Sequence, residues 1–388
     1  MDALGGRGAR RGFSYRAYVP TSIADEDFLL GSDIAAAAAN AELGCRKLDE
    51  ERPTPANLEA LARQLLRAES VASSRIEGLV LSHRRLAKAA FSLEARDITA
   101  QSVLANIRAL ERAIDLAGEV DELRSENLVE VHRLLFEGTR DEQLGGLIRT
   151  EQNWIGGAAS SPRRAEFIPP PPELVPELLD DLCAFCNRED LPAVIQAAIG
   201  HVQFETIHPF GDGNGRVGRA LILIILRRRR ISLRYLPPVS LALAGEADRY
   251  IAGLTSWRDG YEADWYTVFT EAVYRAATGA GEFAERVAEL QRRWVEDAGS
   301  PRKGSGTLRL IELLPSQPLV DVKTAAKLLG GTQERARIAI LRLEQAGVLR
   351  QITVGRRNRA WECVGLFDLL DQFERDLGPV ERTPRPTR

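Results

Sequence analysis

Long hydrophobic runs are absent from this sequence of 388 residues. The most apolar run, residues 220–226, leads directly into four arginines at 227–230, so it is too short and too charged to span a bilayer. The arginines near the N-terminus are not followed by an apolar segment, and we therefore expect no secretory signal. These absences exclude an integral membrane protein, and we expect no membrane partner.

Cysteine is also scarce, with four residues in the whole chain. Scattered cysteines are typical of a reducing compartment, so we expect a cytoplasmic protein. Cys183 and Cys186 have the spacing of a redox pair or half a metal site, but they lie in a helical apolar pattern without a second ligand pair. Packing in the core is the favoured interpretation of both.

Charge is distributed unevenly along the chain. From residue 301 onward there are 16 Lys and Arg against 10 Asp and Glu, a net charge of +6, whereas the whole chain carries −3. The first 300 residues therefore carry −9. A basic C-terminal part on an acidic body predicts a polyanionic partner for that part alone.

The densest group of reactive side chains lies in residues 208–219, which combine His208, Asp212, Asn214, Arg216 and Arg219 with four glycines. Glycines allow backbone N–H groups to point inward, and the apolar helix that follows adds the positive end of its dipole. Such a loop favours phosphate, which the two arginines can also bind. The histidine is placed to move a proton near that phosphate. An ordinary glycine-rich turn is the alternative.

These twelve residues resemble the signature of the Fic family, His-Pro-Phe-x-x-Gly-Asn-Gly-Arg-x-x-Arg, at every specified position. The resemblance implies the family's helical fold and the transfer of AMP from ATP to a Ser, Thr or Tyr hydroxyl of a target protein. It also implies that the site binds a Mg²⁺ ion. It implies that His208 is the general base and that Asp212 binds Mg²⁺. It also implies that Arg219 binds the γ-phosphate and that the α- and β-phosphates are bound by Gly213, Asn214, Gly215 and Arg216.

A second motif precedes the first. Residues 73–78 read Ser-Ser-Arg-Ile-Glu-Gly, which resembles the Ser/Thr-x-x-x-Glu-Gly/Asn inhibitory motif of Fic proteins. The resemblance implies that Glu77 pairs with Arg219 and takes the guanidinium intended for the γ-phosphate, so that ATP binds unproductively. The alternative is that Glu77 is an ordinary surface residue at the end of a helix.

Residues 145–172 break the helical pattern with short β-prone pieces between Gly, Ser and Pro, which predicts a hairpin. It resembles the Fic flap, which implies that its edges at residues 155–159 and 166–168 hold the target by strand addition. Ile155, Gly156 and Gly157 are the expected docking residues. An ordinary surface hairpin is the alternative.

Four further residues have weaker signals. Tyr250, on a helix after the signature, is a candidate contact for adenine, with core packing as an equal alternative. His83, His132 and His201 are single histidines in helical segments, and we interpret them as packed rather than catalytic.

After a linker at residues 301–306, three helices and two strands around a basic turn resemble a winged helix-turn-helix domain. Such domains bind DNA, but they also bind proteins and dimerise, so DNA, a protein partner and a homodimer all remain open. The candidate DNA contacts are Arg335, Arg337, Arg356 and Arg357.

We therefore predict a mainly α protein: a Fic-type helical bundle with a small β-hairpin flap, followed by a winged helix-turn-helix domain. The expected divisions are an N-terminal helical region with the inhibitory helix (13–100), the catalytic domain (101–280), a helix and linker (281–304) and the winged helix (305–378). The favoured function is an autoinhibited protein adenylyltransferase whose target is another protein or itself. One alternative is removal of AMP, or another phosphate-group transfer, at the same site. The other is a DNA-binding regulator that senses nucleotide.

Overall fold

The computed structural model describes residues 14–50, 55–91, 97–157, 161–354 and 358–378. Residues 1–12, whose glycine- and arginine-rich composition predicts a disordered leader, lie outside these ranges. The described chain is mainly helical with one small sheet, which confirms the predicted class. No helix within these ranges combines the length and the apolar character needed to cross a membrane.

The first three quarters of the chain form a bundle of helices. These are α1 (Ser32–Glu50), α2 (Pro55–Ile76), α3 (His83–Phe91), α4 (Ile98–Glu119), α5 (Ser125–Phe136), α6 (Val175–Cys186), α7 (Ala193–Ile207), α8 (Asn214–Arg228), α9 (Val239–Gly245), α10 (Ala247–Arg258) and α11 (Glu262–Asp297).

Helices α7 and α8 occupy the centre of the bundle. Every residue of α7 is buried, and so are residues 214–226 of α8. Apolar side chains cover these helices on all sides, which is the pattern of a helix surrounded by others. Because the loop between them has both ends fixed in this core, residues 208–213 are held rigidly at one end of the bundle.

Two helix boundaries differ from the sequence prediction. The sequence pattern of residues 240–254 predicts one helix, but the structure divides this segment between α9 and α10 at Glu246. The division lies where the Leu377 carbonyl approaches Gly245 so closely that a side chain there would clash. Helix α11 is a single helix of 36 residues, and the predicted domain boundary at residue 280 falls inside it.

The predicted flap hairpin is reduced to isolated pairings. Ile155 pairs with Phe167 in one antiparallel bridge, and Ile148 pairs with Phe210 of the signature loop in another. A short 3₁₀ turn, Pro162–Arg164, lies between the two sides of the flap. Residues 158–160, which include part of one predicted edge, lie outside the described residues.

The C-terminal unit consists of four helices and a three-stranded antiparallel sheet in the order β1-β3-β2. Its elements are α12 (Gly306–Leu313), β1 (Leu319–Val320), α13 (Val322–Leu329), α14 (Gln333–Gln345), β2 (Leu349–Val354), β3 (Asn358–Cys363) and α15 (Leu366–Asp376). Strands β2 and β3 pair in register from Leu349 opposite Cys363 to Val354 opposite Asn358.

The C-terminal unit shares an apolar core with the helical bundle. Leu61 and Leu65 of α2 and Trp294 of α11 belong to the same buried cluster as Leu310 and Phe373 of the C-terminal unit. Polar contacts join them as well, because the Gln64 side chain donates to the Pro315 carbonyl at 2.5 Å. Helix α2 therefore packs against the C-terminal unit along part of its length.

Candidate active site

His208 follows the last residue of α7 in a left-handed conformation, with φ 51°. Removal of the imidazole from water lowers the pKa of His208 to about 4, so the ring is neutral near pH 7. Its Nδ1 is buried and has no hydrogen-bond partner within the described residues. A neutral imidazole with an unused nitrogen can accept a proton, which is the chemistry of a general base.

The signature loop is shaped by side chains that bond to its backbone. The Asn214 side chain accepts from the Phe210 N–H at 2.8 Å and donates to the Phe210 carbonyl at 2.8 Å. His132 stacks on the Phe210 ring, with centroids 3.7 Å apart, and its Nε2 lies 3.0 Å from the Asp212 carbonyl. Since His132 Nδ1 accepts from the Gly146 N–H, Nε2 carries the proton and donates it to Asp212.

His132 is therefore packed, as expected, but it also bonds the beginning of the flap to the signature loop. Burial lowers the pKa of His132 to about 4, which keeps the ring neutral and the hydrogen-bond pattern fixed. This role could not be predicted from the sequence, because His132 and Asp212 are 80 residues apart.

The N-terminus of α8 points into the site. Gly213 has φ 78°, a conformation that favours glycine, and it places the first turn of α8 after the loop. The first backbone N–H groups of a helix lack intrahelical partners and attract anions. Asn214 and Gly215 can offer their N–H groups there, whereas the Asn214 side chain is occupied by Phe210.

Arg216 adds a buried cation beside this helix end. Its side chain is 6% exposed and its guanidinium lies over the Phe136 ring, 5.4 Å from the centroid. Arg216 Nε is buried without a hydrogen-bond partner within the described ranges, and the Asp212 carboxylate is 3.9 Å from Nη2. An underpartnered guanidinium next to free helix N–H groups suits a phosphate.

Arg219 is buried more deeply, with a side chain 1% exposed. It donates through Nε to the Ser73 hydroxyl at 3.0 Å and through Nη2 to the Ser73 carbonyl at 2.9 Å. Burial alone would lower the pKa of Arg219, but the nearby groups of Glu77, Tyr250 and Glu205 have the larger effect and raise the pKa above its ordinary value. This guanidinium is therefore always charged.

Glu77 lies directly after α2 and reaches across to this arginine. Its Oε1 accepts from Arg219 Nη2 at 2.7 Å. The same oxygen lies where a β-carbon on Gly215 would be, so the carboxylate covers the first turn of α8. Burial would raise the pKa of Glu77, but the cations of Arg219 and Arg216 lower it, and the group is ionised near pH 7.

Two more buried carboxylates, Glu69 and Glu205, lie near Arg219. Burial raises the pKa of each to about 7. Glu69 accepts from the Ser240 N–H at 2.8 Å, whereas Oε1 of Glu205 is buried without a hydrogen-bond partner in the described parts of the chain. Neither residue was predicted from the sequence, in which Glu205 is marked only by its position one helical turn before His208.

Arg149 supports the site from the flap side and was also missed. Its side chain is 7% exposed and donates to the carbonyls of His208 (2.9 Å), Pro170 and Ile207. Burial lowers the pKa of Arg149 to about 10, which leaves it charged near pH 7. It therefore fixes the backbone of the catalytic histidine candidate against the flap.

We expect Arg149→Met to lower the free energy of unfolding by about 2–4 kcal/mol, because buried carbonyls lose their donor at about 1–3 kcal/mol each. Denaturant unfolding of purified protein measures the change. Arg164→Met, at an exposed arginine of the same flap, is the control and should stay within about 0.5 kcal/mol of wild type. Equal stability of the two variants would contradict the supporting role of Arg149.

Asp212 is the candidate Mg²⁺ ligand. Its Oδ1 accepts from the Gly213 N–H at 2.6 Å, and its side chain is 59% exposed. Within the described residues no group of three or more His, Cys, Asp or Glu side chains could hold a metal ion alone. One accessible carboxylate fits Mg²⁺ if phosphate oxygens and water supply the other ligands, as is usual for this ion.

Tyr250 lies in the core rather than in an open pocket. Its side chain is 3% exposed, and its hydroxyl lies 2.9 Å from His201 Nε2. The ring also contacts Trp265, with centroids 6.1 Å apart. Tyr250 is therefore packed in the core in this structure, and its contact with adenine stays a prediction.

The flap residues are placed beside the signature loop. Both backbone groups of Ile155 bond to the other side of the flap, where its N–H donates to the Phe167 carbonyl at 2.8 Å. Ile168 on that other side accepts from the Tyr18 N–H at 2.8 Å, so the N-terminal segment already occupies this edge. Gly156 and Gly157 have φ near 75° and pack against residues 164–166 across the flap.

Two of the four candidate DNA contacts lie on α14 of the C-terminal unit. Arg335 and Arg337 lie exposed on α14, and Arg337 pairs with Glu334 at 2.8 Å. Arg356 and Arg357 lie outside the described residues.

Comparison with known proteins agrees with the sequence resemblance. Residues 122–226 match the Fic/DOC family, and residues 35–115 match the N-terminal region of that family. The chain is 34% identical over 138 residues to protein adenylyltransferase fic-1 of Caenorhabditis elegans, covering 35% of this chain and 24% of that protein. It is 48% identical over 63 residues to a probable protein adenylyltransferase of Aquifex aeolicus (strain VF5), covering 16% of this chain and 20% of that protein.

The chain thus spans about a quarter or less of the length of these two relatives. The crystal structure of a Fic family protein from Desulfovibrio desulfuricans G20 is similar over 87% of this chain and 98% of that chain, with a TM-score of 0.56 and 21% identity. This likeness shows a shared fold that extends beyond the two matched regions. The two family matches therefore identify a Fic/DOC domain at residues 122–226, preceded at residues 35–115 by the N-terminal region found in that family.

Proposed function

We propose that this chain is a protein adenylyltransferase that transfers AMP from ATP to a Ser, Thr or Tyr hydroxyl. The observation that carries the proposal is a neutral imidazole, His208, beside a helix N-terminus and the buried guanidinium groups of Arg216 and Arg219. Its relatives bear the name of this activity. The combination supplies a base for the hydroxyl and positive charge for the phosphates.

In the proposed reaction the target oxygen attacks the α-phosphorus of ATP. The bond from that phosphorus to the bridging oxygen breaks, pyrophosphate leaves, and His208 takes the hydroxyl proton. The N–H groups of Asn214 and Gly215 and the Arg216 guanidinium stabilise charge on the phosphates. When bound, Mg²⁺ would be held by Asp212 and would neutralise phosphate charge.

The proposed target site lies along the flap. The edge at Ile168 is occupied by the N-terminal segment, so strand addition is proposed at the other edge, beside Gly156 and Gly157. Main-chain pairing there would hold a target segment near His208 whatever its side chains. We propose a protein target and include self-modification.

Two labels of ATP test the reaction. With Mg²⁺ present, we expect label from the α-phosphate on protein and none from the γ-phosphate, in wild type and in Glu77→Gly. Label from the γ-phosphate would instead show phosphate transfer. If neither label is incorporated and an AMP-modified protein loses AMP, the site instead hydrolyses the bond between AMP and the protein hydroxyl, with Glu77 orienting the attacking water.

A second function is favoured by the charge distribution of the C-terminal unit, which we propose to be a winged helix-turn-helix domain. Four of its acidic residues pair with arginines of the helical bundle: Glu362 and Asp368 with Arg84, Glu374 with Arg75, and Asp376 with Arg286. Lys323, Lys327, Arg335 and Arg342 are exposed on α13 and α14 and have no ion-pair partner within the described residues. The outward side is therefore basic, which supports binding of DNA phosphates.

We expect the full chain to shift double-stranded DNA in a salt-dependent gel assay. Replacing both Arg335 and Arg342 with alanine should reduce the slope of log affinity against log salt by about 2, roughly 0.9 per phosphate contact. The double change of Arg124 and Arg133 on the helical bundle to alanine is the charge-matched control and should leave the slope unchanged. A slope unaffected by the α14 changes would contradict DNA binding and favour a protein partner for α14.

A further inference from the structure

One carboxylate from the end of the chain contacts both ends of the loop that carries Glu77. This loop joins α2, which ends at Ile76, to α3, which begins at His83. Oε2 of Glu374, on α15, lies 2.6 Å from Arg75 Nη2, and its Oε1 lies 2.7 Å from His83 Nε2. Glu374 therefore contacts the loop on both sides of Glu77.

These contacts are shielded from water. The side chains of His83 and Glu374 are 3% and 14% exposed, and that of Arg75 is 36% exposed. Burial would raise the pKa of Glu374, but His83 and Arg75 lower it below its usual value, so the carboxylate is ionised near pH 7. A charged group in a partly buried network restrains its partners more than an exposed ion pair does.

The Glu77 loop needs such restraint because it lies at a helix end. Gly78, with φ 79°, turns the chain away immediately after Glu77, and the Gly78 N–H closes the turn on the Arg75 carbonyl at 2.9 Å. On the inner side, Ser73 bonds to Arg219 and Ser74 accepts from Asn106 at 3.3 Å. Glu374 supplies the restraint on the outer side.

We propose that Glu374 is a positioning residue that holds the Glu77 loop in its blocking position. The C-terminal unit would then set the basal rate of the site without touching nucleotide. This inference rests on the proposed function, because it concerns the inhibition of AMP transfer. It names a residue 297 positions from Glu77 as part of the inhibitory device.

Helix α15 has other contacts that keep it in place without Glu374. Phe373 stacks on Phe283 of α11 with centroids 4.8 Å apart, and Asp376 pairs with Arg286 at 2.6 Å. Arg275 donates to the Leu377 carbonyl at 2.9 Å. Glu374→Gln, which keeps the size of the side chain, therefore tests the charge while the helix stays docked.

The experiment measures label transfer from ATP and backbone amide exchange of residues 76–83 in five full-length proteins: wild type, Glu374→Gln, Glu77→Gly, the double variant of these two changes and a control. Asp376→Asn is the matched control, since it removes a carboxylate from the same helix without contact to the loop. We expect Glu374→Gln to raise transfer roughly 3- to 10-fold and to speed exchange of residues 76–83. In the Glu77→Gly background the same change should leave transfer unaltered, and Asp376→Asn should resemble wild type.

Three results would overturn the inference. The first is amide exchange of residues 76–83 in Glu374→Gln at the wild-type rate, and the second is a rise in AMP transfer that also occurs in the Glu77→Gly background. The third is that Asp376→Asn shows the same faster exchange and higher transfer as Glu374→Gln. The failure of the proposed function has a different signature. In that case Glu77→Gly transfers no AMP, while amide exchange still reports whether Glu374 holds the loop.

Discussion

Glu77→Gly is expected to raise AMP transfer roughly 30- to 150-fold over wild type. The carboxylate accepts from Arg219 Nη2 at 2.7 Å and covers the first turn of α8 at Gly215, so it takes the place of an anionic phosphate oxygen. A hydrogen bond to a charged group contributes about 2–3 kcal/mol, and a nucleotide must displace this one to bind productively. That free energy corresponds to the stated ratio of rates.

The effect depends on where Glu77 lies rather than on its charge alone. Arg219 keeps its bonds to Ser73 when Glu77 is removed, so its guanidinium remains in place for the γ-phosphate. A variant that only loosened the bundle would not produce this gain, because Arg219 would lose its orientation. The increase in rate is therefore a specific result of clearing the site.

A second Glu-Gly pair in the same chain provides a matched control. Glu137 follows α5 and precedes Gly138, whose φ is 70°, but its carboxylate is exposed and pairs only weakly with Arg133 at 3.7 Å. Glu137→Gly makes the same chemical change at the same kind of helix end. We expect it to leave the rate of AMP transfer as in wild type, whereas equal rates in all three proteins would refute autoinhibition by Glu77.

The parts of the fold that followed from the sequence are those governed by short-range patterns. The apolar run at residues 220–226 predicted the helix that forms most of α8, and the composition of residues 208–219 predicted a phosphate-binding segment at the start of that helix. The flap was predicted as a regular hairpin, but its glycines and prolines leave single bridges at Ile148 and Ile155. Tyr250 was a candidate for adenine because an aromatic residue on a helix has the same pattern whether it faces a pocket or the core.

The missed residues act across long separations in the chain. Arg149 bonds to the His208 carbonyl 59 residues away, and Glu374 contacts Arg75 across 299 residues. Their sequence neighbourhoods resemble ordinary charged surface, since an arginine or glutamate carries no local sign of its partner. Burial and partner become visible only when the helices are packed, and one sequence without relatives contains no record of that packing.

His208→Ala is expected to reduce AMP transfer roughly 10²- to 10⁴-fold when it is measured in the Glu77→Gly background, because a general base contributes about this much. The phosphate-binding groups are separate from the imidazole: the α8 N-terminus, Arg216 and Arg219 remain. Affinity for ATP, measured by calorimetry, should therefore be unchanged. A parallel loss of ATP affinity would show that His208 binds nucleotide rather than acting as a base.

The pH dependence gives a second test of the same role. A general base acts in its neutral form, and since burial lowers the pKa of His208 to about 4, that form predominates at every pH above about 5. We therefore expect that titration of His208 does not change the transfer rate of Glu77→Gly between pH 8 and 5.5. If the transfer rate declines around pH 7 and this decline disappears in Glu205→Gln or Glu69→Gln, it is caused by protonation of those buried carboxylates, whose pKa values are about 7. A decline centred near pH 6.5 that survives both changes would mean that the imidazole titrates as in water and is not held as the structure places it.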